Sequence, residues 1–434
     1  MTMTDADFLP ADGMAALRRR LWAEQAAYVA AKSPFYRRLW QGAEPPSRIE
    51  DLARLPLTDK TMLRQSQART PPFGDYLAAE ETTVVRLHRT SGTTGHAMNI
   101  AQSRTDALQT AEVGARCQRA CGLGPNHRVV HCLNYQMWMG GFTDHTTLEA
   151  TGATVIPFGV GNTELLVKTI RDLRVTAISC TPSYPAVLER VIEEHFPGLT
   201  PRDLGLKLGL FGGEAGLDNT AFRDRLEDTW GFKVRNANYG VSDVFCNFAG
   251  QCEHGGDLHF MGPDALFPEI IDTTTEQPKP WREGTEGELV LTHLARQCQP
   301  LVRFRTGDIV VVTGTGPCAC GRTAPRFRVI GRGDDMVVVR GLNVFPTAVA
   351  AVVNGFSRLS GEYRIRLPGP GPYDLLPLEA ELAPGHEAST DLAATLAEAI
   401  KKNIRVSAEI TLLPPRSLPR NEGKTRRVFR QEIP

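Results

Sequence analysis

The feature that most constrains the fold is an alternation of short apolar runs with helical patterns between about residues 84 and 245. Runs such as residues 129–133 and 177–180 have the length of buried strands, and the segments between them have the apolar spacing of helices. This rhythm predicts an α/β fold, with mostly parallel strands covered by helices. Ligands bind at the carboxyl ends of strands in such sheets. The glycine loops after Leu87 and Phe211 are therefore the candidate binding edges.

The length and later part of the chain predict more than one domain. A chain of 434 residues is longer than one hydrophobic core usually serves. The pattern becomes β-rich at about 245–330, and Pro/Gly-rich turns separate short strands and helices beyond Arg332. We therefore expect a large N-terminal domain over 1–332, with a β-rich subdomain at about 245–330. A small α+β C-terminal domain is expected over 333–434.

Composition argues against several classes of protein. Lys+Arg and Asp+Glu both number 49, so charge gives no reason to expect a nucleic acid or membrane partner. No apolar run approaches the roughly 18 residues that span a bilayer, and no signal-peptide pattern opens the chain, so we expect a cytoplasmic protein. Nine scattered cysteines argue against a disulfide framework.

A loop rich in glycine and hydroxyl groups follows the first apolar run, at residues 90–95. Its glycines allow close backbone approach, and its hydroxyl and amide groups can bind phosphate oxygens. It is not a Walker loop, because no Gly-Lys-Ser/Thr follows. Alone, such a segment is a common turn, so its interpretation depends on the rest of the chain.

Five further segments accompany this loop in a fixed order: 211–214, 238–243, 303–308, 331–336 with 339–346, and 423–424. Together the six resemble the adenylate-forming superfamily of acyl-CoA synthetases, adenylation domains and luciferases, over about residues 13–430. Residues 57–60, 181–184 and 340–346 look like the phenylacetate–CoA ligase branch in particular.

This resemblance implies an ATP-dependent acid–thiol ligase that works in two steps. A carboxylate attacks the α-phosphorus of ATP and gives acyl-adenylate and pyrophosphate, and coenzyme A then takes the acyl group. The small C-terminal domain is implied to be mobile and to rotate between the steps.

The resemblance also implies roles for individual residues. Those expected to bind ATP are Ser91, Gly92, Thr93, Thr94, Gly95, Gly213, Glu214, Asn238, Tyr239, Gly240, Ser242, Arg305 and Asp308. Tyr239 offers a ring on which adenine can stack, and Asp308 resembles the carboxylate that accepts the ribose hydroxyls. The structural alternatives are a core tyrosine and a turn-forming aspartate.

Three residues are implied to be catalytic: Lys424, Asp243 and Arg332. Lys424 matches the lysine that bridges the substrate carboxylate and the α-phosphate, and Arg332 can clamp phosphate or carboxylate. Asp243 would support Mg²⁺, although relatives usually carry glutamate there; a helix-capping aspartate is the alternative.

Two further assignments concern domain motion and the thiol. Asp334 resembles the hinge between the domains, and Gly341 is expected beside the coenzyme A groove. His96 stands where relatives often carry a lysine or arginine, which weakens charge neutralisation at the phosphates.

The acyl pocket is expected among residues 135–142, 211–213 and 238–246. Its predicted lining residues are Tyr135, Trp138, Gly140, Gly141, Phe211 and Gly212. Aromatic walls with room left by glycines suit an aromatic acid. Asn134 and Gln136 are polar and point to a hydroxy- or amino-substituted aryl acid.

A second site is predicted from four residues in two short segments: Cys252, His259, Cys318 and Cys320. Thiolates and imidazoles at such spacings favour tetrahedral Zn²⁺, and four protein ligands make a closed, structural site. His254 and Cys246 are alternative ligands, and unliganded thiols are the structural alternative.

Two other functions remain open at this stage. The chain can pass an amino- or hydroxy-aryl acid to a separate carrier protein or another nucleophile, or it can be a non-catalytic ATP and aryl-acid binding protein. A homodimer is compatible with the resemblance, but no apolar stripe indicates one.

Overall fold

The computed structural model describes residues 3–90, 97–214, 216–340, 342–369, 373–418 and 427–430. Ser91, Gly92, Thr93, Thr94, Gly95, His96, Gly341 and Lys424 lie outside the described residues, so their predicted roles stay predictions. No helix in the described ranges combines the length and apolarity that crossing a membrane requires.

Helices occur along the whole described chain, and most lie between strands. They are α1 (Ala11–Lys32), α2 (Pro34–Leu39), α3 (Lys60–Arg69), α4 (Arg104–Ala120), α5 (Met139–Glu149), α6 (Thr163–Asp172), α7 (Tyr184–His195), α8 (Thr220–Trp230), α9 (Pro346–Val353) and α10 (Thr390–Ile404). Short 3₁₀ helices cover Met3–Phe8, Ile49–Arg54, Glu81–Thr83 and Pro201–Leu204.

The strands of the first half are β1 (Val84–Arg89), β2 (Asn99–Ser103), β3 (Arg128–His131), β4 (Thr154–Pro157), β5 (Ala177–Cys180), β6 (Leu208–Gly212), β7 (Lys233–Val241), β8 (Phe245–Gly250), β9 (Leu258–Phe260) and β10 (Leu266–Ile271). Those of the second half are β11 (Pro278–Lys279), β12 (Glu286–His293), β13 (Phe304–Gly314), β14 (Arg326–Arg332), β15 (Val337–Val339), β16 (Leu342–Val344), β17 (Leu359–Leu367), β18 (Leu376–Leu382), β19 (Ala408–Leu413) and β20 (Val428–Arg430).

One sheet of twelve strands dominates, in the order β11-β10-β12-β13-β14-β9-β8-β7-β6-β5-β3-β4. Strands β3 to β7 pair in parallel, as the alternation of apolar runs and helices predicts. From β7 to β8 the pairing becomes antiparallel. The α/β fold with mostly parallel strands in its first half is thus confirmed, and the β-rich region extends the same sheet.

The apolar run at residues 84–87 was expected in the parallel sheet, and that expectation is wrong. Strand β1 pairs antiparallel with β2 in a separate two-stranded sheet. Val85 and Leu87 are exposed, whereas His88 is buried. The run is therefore apolar without being a core strand, and β1 ends outside the parallel sheet.

Buried side chains from the parallel strands form the core beneath the binding edge. Val129, Ala177, Leu208 and Ala237, from β3, β5, β6 and β7, pack in one cluster with Leu148 of α5. Helix α5 is thereby fixed against the sheet immediately after β3, which places its first turn near the strands' carboxyl ends.

The chain divides into two compact units. The first contains Met1–Gly212, Leu226–Thr306 and Val310–Arg328, and the second contains Gly213–Arg225, Gly307–Ile309 and Val329–Pro434. The second unit has its own core, to which Val349 of α9, Leu378 of β18 and Leu396 of α10 contribute. That residues 333–434 form a mobile domain with its boundary at residue 332 stays a prediction.

Candidate active site and metal cluster

Glycines allow three strands to approach one another at the carboxyl edge of the parallel sheet. Gly212 pairs with Asn238 across β6 and β7, and a Cβ on Gly212 would lie 2.5 Å from the Asn238 carbonyl oxygen. A Cβ on Gly240 would lie 1.9 Å from the Cys246 carbonyl oxygen. Both positions therefore require glycine because backbone lies where a side chain would begin.

Tyr239 lies near the end of β7, directly before Gly240, and is half-buried. Its ring meets Phe248 and Phe327 edge-on, with centroid distances of 5.2 and 5.7 Å. This packing fixes the ring plane, which a stacking platform needs. Ser242 follows on the same turn and is also half-buried.

Asp243 forms a contact that the sequence does not reveal. Its Oδ2 lies 2.8 Å from Lys60 Nζ, and its side chain is only 5% exposed. The other oxygen, Oδ1, is buried and has no hydrogen-bond partner within the described ranges. A carboxylate oxygen in that situation suits a cation.

Lys60 is positioned by the start of helix α3. Asp59 caps the helix by accepting a hydrogen bond from the Met62 amide at 2.8 Å. Thr58 is held against the segment that leads into strand β13, because its hydroxyl donates a hydrogen bond to the Val302 carbonyl at 2.9 Å. The Leu57-Thr58-Asp59-Lys60 segment thus presents its lysine to Asp243, although 183 residues separate the two.

The predicted acyl-pocket residues differ in what they present. The hydroxyl of Tyr135 lies 2.9 Å from His145 Nδ1, and His145 Nε2 lies 3.1 Å from Glu149 Oε1. Burial raises the pKa of Tyr135, so its hydroxyl stays neutral. Trp138 is 38% exposed. Gly141 cannot carry a side chain, because its Cβ would lie 2.2 Å from the Asn134 carbonyl oxygen.

Phe211 does not present its side chain to a ligand, contrary to the sequence-based assignment. It is fully buried, with its ring centroid 5.8 Å from that of Phe232. As the middle of a strand covered on both faces, it belongs to the core. Only the backbone that leads from it to Gly212 reaches the edge.

Asp144 on helix α5 was not predicted at all. It is 4% exposed, accepts a hydrogen bond from Asn238 Nδ2 at 2.5 Å, and accepts another from Cys246 Sγ at 2.8 Å. Burial raises the pKa of Asp144 to about 7, against the opposing effect of these two donors. No local sequence pattern predicts this site, because both partners of Asp144 lie about a hundred residues away in the chain.

Arg305, expected to contact ATP, is bound to carboxylates in the structure. Its Nε lies 3.0 Å from Glu288 Oε2, and its Nη1 lies 2.7 Å from Glu276 Oε1. The hydrogen bonds that Arg305 donates to Glu288 are the main cause of the raised pKa of Arg305. This pairing fixes the strand rather than offering a free guanidinium to phosphate.

The second unit holds a compact arginine–carboxylate group. Arg332 Nη1 lies 3.0 Å from Asp308 Oδ1, and Arg332 grips both oxygens of Asp334 at 2.9 and 3.1 Å. Burial alone would lower the pKa of Arg332, but the carboxylates of Asp334 and Asp308 raise it above its usual value. Gly307 precedes Asp308 with φ +76°, and a Cβ there would lie 2.9 Å from Arg332 Nη2.

The remaining predicted residues of this unit are Gly213 and Glu214. They follow β6 directly, and Gly213 has φ +82°. Such a backbone favours glycine and turns the chain sharply at the strand end. Glu214 is half-buried.

The four predicted zinc ligands do come together. Cys252, His259, Cys318 and Cys320 place their ligand atoms within 4.8 Å of one another. The Cys252 and Cys318 sulfurs are 3.8 Å apart, and Cys320 Sγ is 3.8 Å from His259 Nε2. The alternative ligand Cys246 instead donates to Asp144, and His254 is not part of the group.

Local structure brings these four residues into position. His259 lies on β9 and pairs with Gly250 of β8 and with Arg326 of β14. A tight turn carries the other two cysteines, closed by a hydrogen bond from the Gly321 amide to the Cys318 carbonyl. Burial raises the pKa of Cys252 to about 11 and lowers that of His259 to about 4, so the imidazole is neutral.

Comparison with known proteins agrees with this fold. Residues 341–431 match the family described as the AMP-binding enzyme C-terminal domain. The phenylacetate–coenzyme A ligase of Thermus thermophilus is 34% identical, with 99% of each chain covered. The chain therefore belongs to the phenylacetate–coenzyme A ligase family of adenylate-forming enzymes.

Solved structures of a 2-hydroxyisobutyryl-CoA ligase are also similar. In the postadenylation state with R3-HIB-AMP, that ligase is 29% identical, with a TM-score of 0.88 over 99% of this chain and 92% of its own. In the thioesterification state with 2-HIB-AMP and CoA, the identity is 30% and the TM-score 0.71, over 98% and 91%. Because the identity hardly differs, the two scores reflect a change of conformation in that ligase.

Family membership establishes the reaction type. The chain is an AMP-forming acid–thiol ligase that uses ATP to convert a carboxylic acid into an acyl-adenylate and then transfers the acyl group to coenzyme A. Its small-molecule partners thus include ATP and coenzyme A.

Proposed function

We propose that the acid is aromatic, so that the chain is an aryl-carboxylate–CoA ligase. The observation that carries the proposal is the wall of the binding edge that follows β3. Tyr135 and Trp138 lie there, and Gly140, where a Cβ would meet no atom nearer than 3.7 Å, leaves room for a flat ring next to aromatic side chains. The 34% identical relative is named for phenylacetate.

Adenylation places negative charge on the phosphates of ATP, and several residues are suited to stabilise it. Ser91, Thr93 and Thr94 would bind the departing pyrophosphate, with Gly92 and Gly95 allowing close approach. Lys424 would bridge the substrate carboxylate and the α-phosphate.

Nucleoside contacts follow from the strand ends. Tyr239 would stack on adenine, and Gly213, Glu214, Asn238 and Gly240 are the other residues that we propose contact the nucleotide. Asp308 would accept the ribose hydroxyls while Arg332 holds it in place. Ser242 would contact phosphate. Arg305 is best described as a strand-fixing residue, because Glu288 and Glu276 occupy its guanidinium.

Asp243 would hold Mg²⁺. Its Oδ1 is buried and lacks a protein partner in the ranges described, and Lys60 keeps the carboxylate oriented through Oδ2. A hard cation prefers such an oxygen ligand. When bound, Mg²⁺ would neutralise charge on the phosphates.

The cysteine–histidine group would hold a structural Zn²⁺. With Zn–S bonds of about 2.3 Å, a tetrahedral site sets two sulfurs about 3.8 Å apart. The observed 3.8 Å between the Cys252 and Cys318 sulfurs fits that geometry. Four protein donors leave no open position, so the ion would join two segments and take no part in acyl transfer.

Passage of the acyl group to coenzyme A would require rearrangement of the C-terminal domain about Asp334. Gly341 would lie beside the entering thiol. The two conformations of the similar 2-hydroxyisobutyryl-CoA ligase support such a motion.

We also place the enzyme in the cytoplasm, where ATP and coenzyme A are supplied. Transfer of the acyl group to a carrier protein and the formation of a homodimer stay predictions.

The test is pyrophosphate release from ATP over a panel of aromatic and aliphatic acids, with and without coenzyme A. We expect aromatic acids to be turned over and mass spectrometry to detect their CoA thioesters. Preference for a short aliphatic acid would contradict the aromatic assignment. Pyrophosphate release without any thioester would favour a carrier-protein acceptor.

A further inference from the structure

Asp144 is a buried carboxyl group to which no role has so far been given. It is 4% exposed, and within the described parts of the chain it forms no ion pair. Its two oxygens each accept one hydrogen bond, from Asn238 Nδ2 at 2.5 Å and from Cys246 Sγ at 2.8 Å. Burying a carboxyl group without a charged partner is costly, so its presence calls for a reason.

The two hydrogen-bond partners of Asp144 place it on the side of the binding edge where the acyl group is expected. Asn238 immediately precedes Tyr239 on β7, and Cys246 lies on β8 in a buried cluster with Met139, the first residue of α5. The first turns of α5 therefore pack on the two strands that end at the nucleotide motif, and Asp144 joins all three elements.

Gly140 leaves an approach to this carboxyl group. It lies one turn before Asp144 on the same helix and is partly exposed. A Cβ built on Gly140 would lie 3.7 Å from Asp144 Oδ2 and 3.7 Å from Leu133 Cδ1, both ordinary contact distances. A ligand packed against Gly140 would therefore lie on the same face of α5 as Asp144.

We propose that Asp144 is a specificity-determining residue that selects an aromatic acid bearing a hydrogen-bond donor, an amino or hydroxyl group, over the unsubstituted acid. This inference rests on the proposed function, since it assumes an aromatic acid on the α5 side of the edge. In its ionised form each carboxylate oxygen can accept two hydrogen bonds and has one, so a further donor can be accommodated, and such a donor would itself favour the ionised form. An unsubstituted ring would offer this already buried carboxyl group no further hydrogen bond.

The experiment compares kcat/KM for pairs of acids in the pyrophosphate-release assay. Suitable pairs are phenylacetate with 4-hydroxy- and 4-aminophenylacetate, and benzoate with its 2-, 3- and 4-hydroxy and amino derivatives. We expect the unaltered enzyme to favour at least one donor-bearing acid by tenfold or more. Asp144→Ala should abolish that preference, chiefly by raising KM for the substituted acid and lowering it for the unsubstituted one.

Two further variants make the test decisive. Thr146→Ala is the control on the same helix, because the Thr146 hydroxyl donates within the helix to the Thr143 carbonyl, and it should keep the preference. Asp144→Asn introduces a donor and should shift preference by a similar factor towards acids with a methoxy or nitro acceptor. It also provides the readout if Asp144→Ala does not melt cooperatively.

The outcomes separate this inference from the proposed function. If the unaltered enzyme activates no aromatic acid, the proposed function fails. If it activates aromatic acids but both Asp144 variants keep the same ratio between paired acids, the inference is wrong. A uniform loss over all acids would likewise overturn it and would make Asp144 a positioning residue for Asn238.

Discussion

At the scale of the residue, the two informative carboxylates of this enzyme have opposite environments. Within the described ranges, Asp243 has a lysine partner and a buried oxygen without a protein partner, whereas the two hydrogen-bond donors to Asp144 are neutral. The second arrangement makes the neutral acid more stable than it is in water. Each difference leads to a measurable prediction.

Lys60→Ala should weaken adenylation and modestly destabilise the fold. Removal of the ammonium group leaves Asp243 buried without its ion pair and free to adopt other rotamers. Because Lys60 is 37% exposed, we expect a loss of only about 1 kcal/mol in unfolding free energy. ATP–pyrophosphate exchange should fall at least tenfold.

Lys233→Ala is the matched control for Lys60→Ala. Lys233 also pairs with a carboxylate, Glu227, at 3.0 Å, but it lies at the other end of β7. It should leave exchange unchanged, and Lys60→Arg should recover part of the activity. Equal exchange rates in Lys60→Ala and Lys233→Ala would contradict a role for Lys60 in orienting Asp243.

Asp144 should make the stability of the enzyme depend on pH. Its pKa is about 7 when folded and near 3.8 when unfolded, so unfolding releases a proton between these values and folded stability falls as pH rises through them. The loss amounts to roughly 4 kcal/mol between pH 4 and pH 7 at 1.36 kcal/mol per pH unit.

Urea unfolding at pH 4 to 8 should compare the unfolding free energy of the unaltered enzyme with that of the amide variant Asp144→Asn. The amide does not titrate, so the variant should gain stability relative to the unaltered enzyme as pH rises. Parallel curves over that range would show that Asp144 titrates normally.

At the scale of the element, local patterns revealed the parallel strands and the metal-ligand spacing but not the contacts between distant segments. The runs that became β3 and β5 and the cysteines at 318 and 320 are visible as short-range patterns. The Lys60–Asp243 pair and the Asp144 cluster depend on tertiary packing, which no local pattern encodes. Strand β1 was misassigned because its apolar residues face outward in a separate hairpin.

The cysteine–histidine group should bind about one zinc per chain and stabilise the loops that carry it. A bound ion links Cys252 to Cys318 across 66 residues, and closing such a loop with a cross-link contributes about 4 kcal/mol. We therefore expect Cys318→Ser or a strong chelator to remove the metal and lower the melting temperature. Metal analysis and calorimetry measure both effects.

Cys132→Ala serves as the control for Cys318→Ser. Cys132 is a buried free thiol outside the cluster, so its loss should reduce stability slightly and leave zinc content unchanged. A metal-free enzyme with full stability would contradict a structural zinc.

At the scale of the whole molecule, catalysis in two steps should separate residues by the step they serve. Lys424 is predicted to act in adenylation only, so Lys424→Ala should lower adenylate formation by a hundredfold or more. Thioester formation from supplied acyl-adenylate should fall far less. Single-turnover measurements of each half-reaction provide the comparison.

Lys401→Ala gives the control in the same C-terminal region. Lys401 is exposed in the last turn of α10, and its removal should change neither half-reaction. If Lys424→Ala reduced both half-reactions equally, Lys424 would have to serve both conformations or neither.

The order of the twelve-stranded sheet has one more consequence. Its outermost strands are β4 and β11, and both are short and contain a proline, Pro157 and Pro278. Proline has no amide proton, so another chain's strand cannot form a continuous ladder along either border. We therefore expect these short borders, each with a proline, to limit edge-to-edge pairing between copies of so large a sheet.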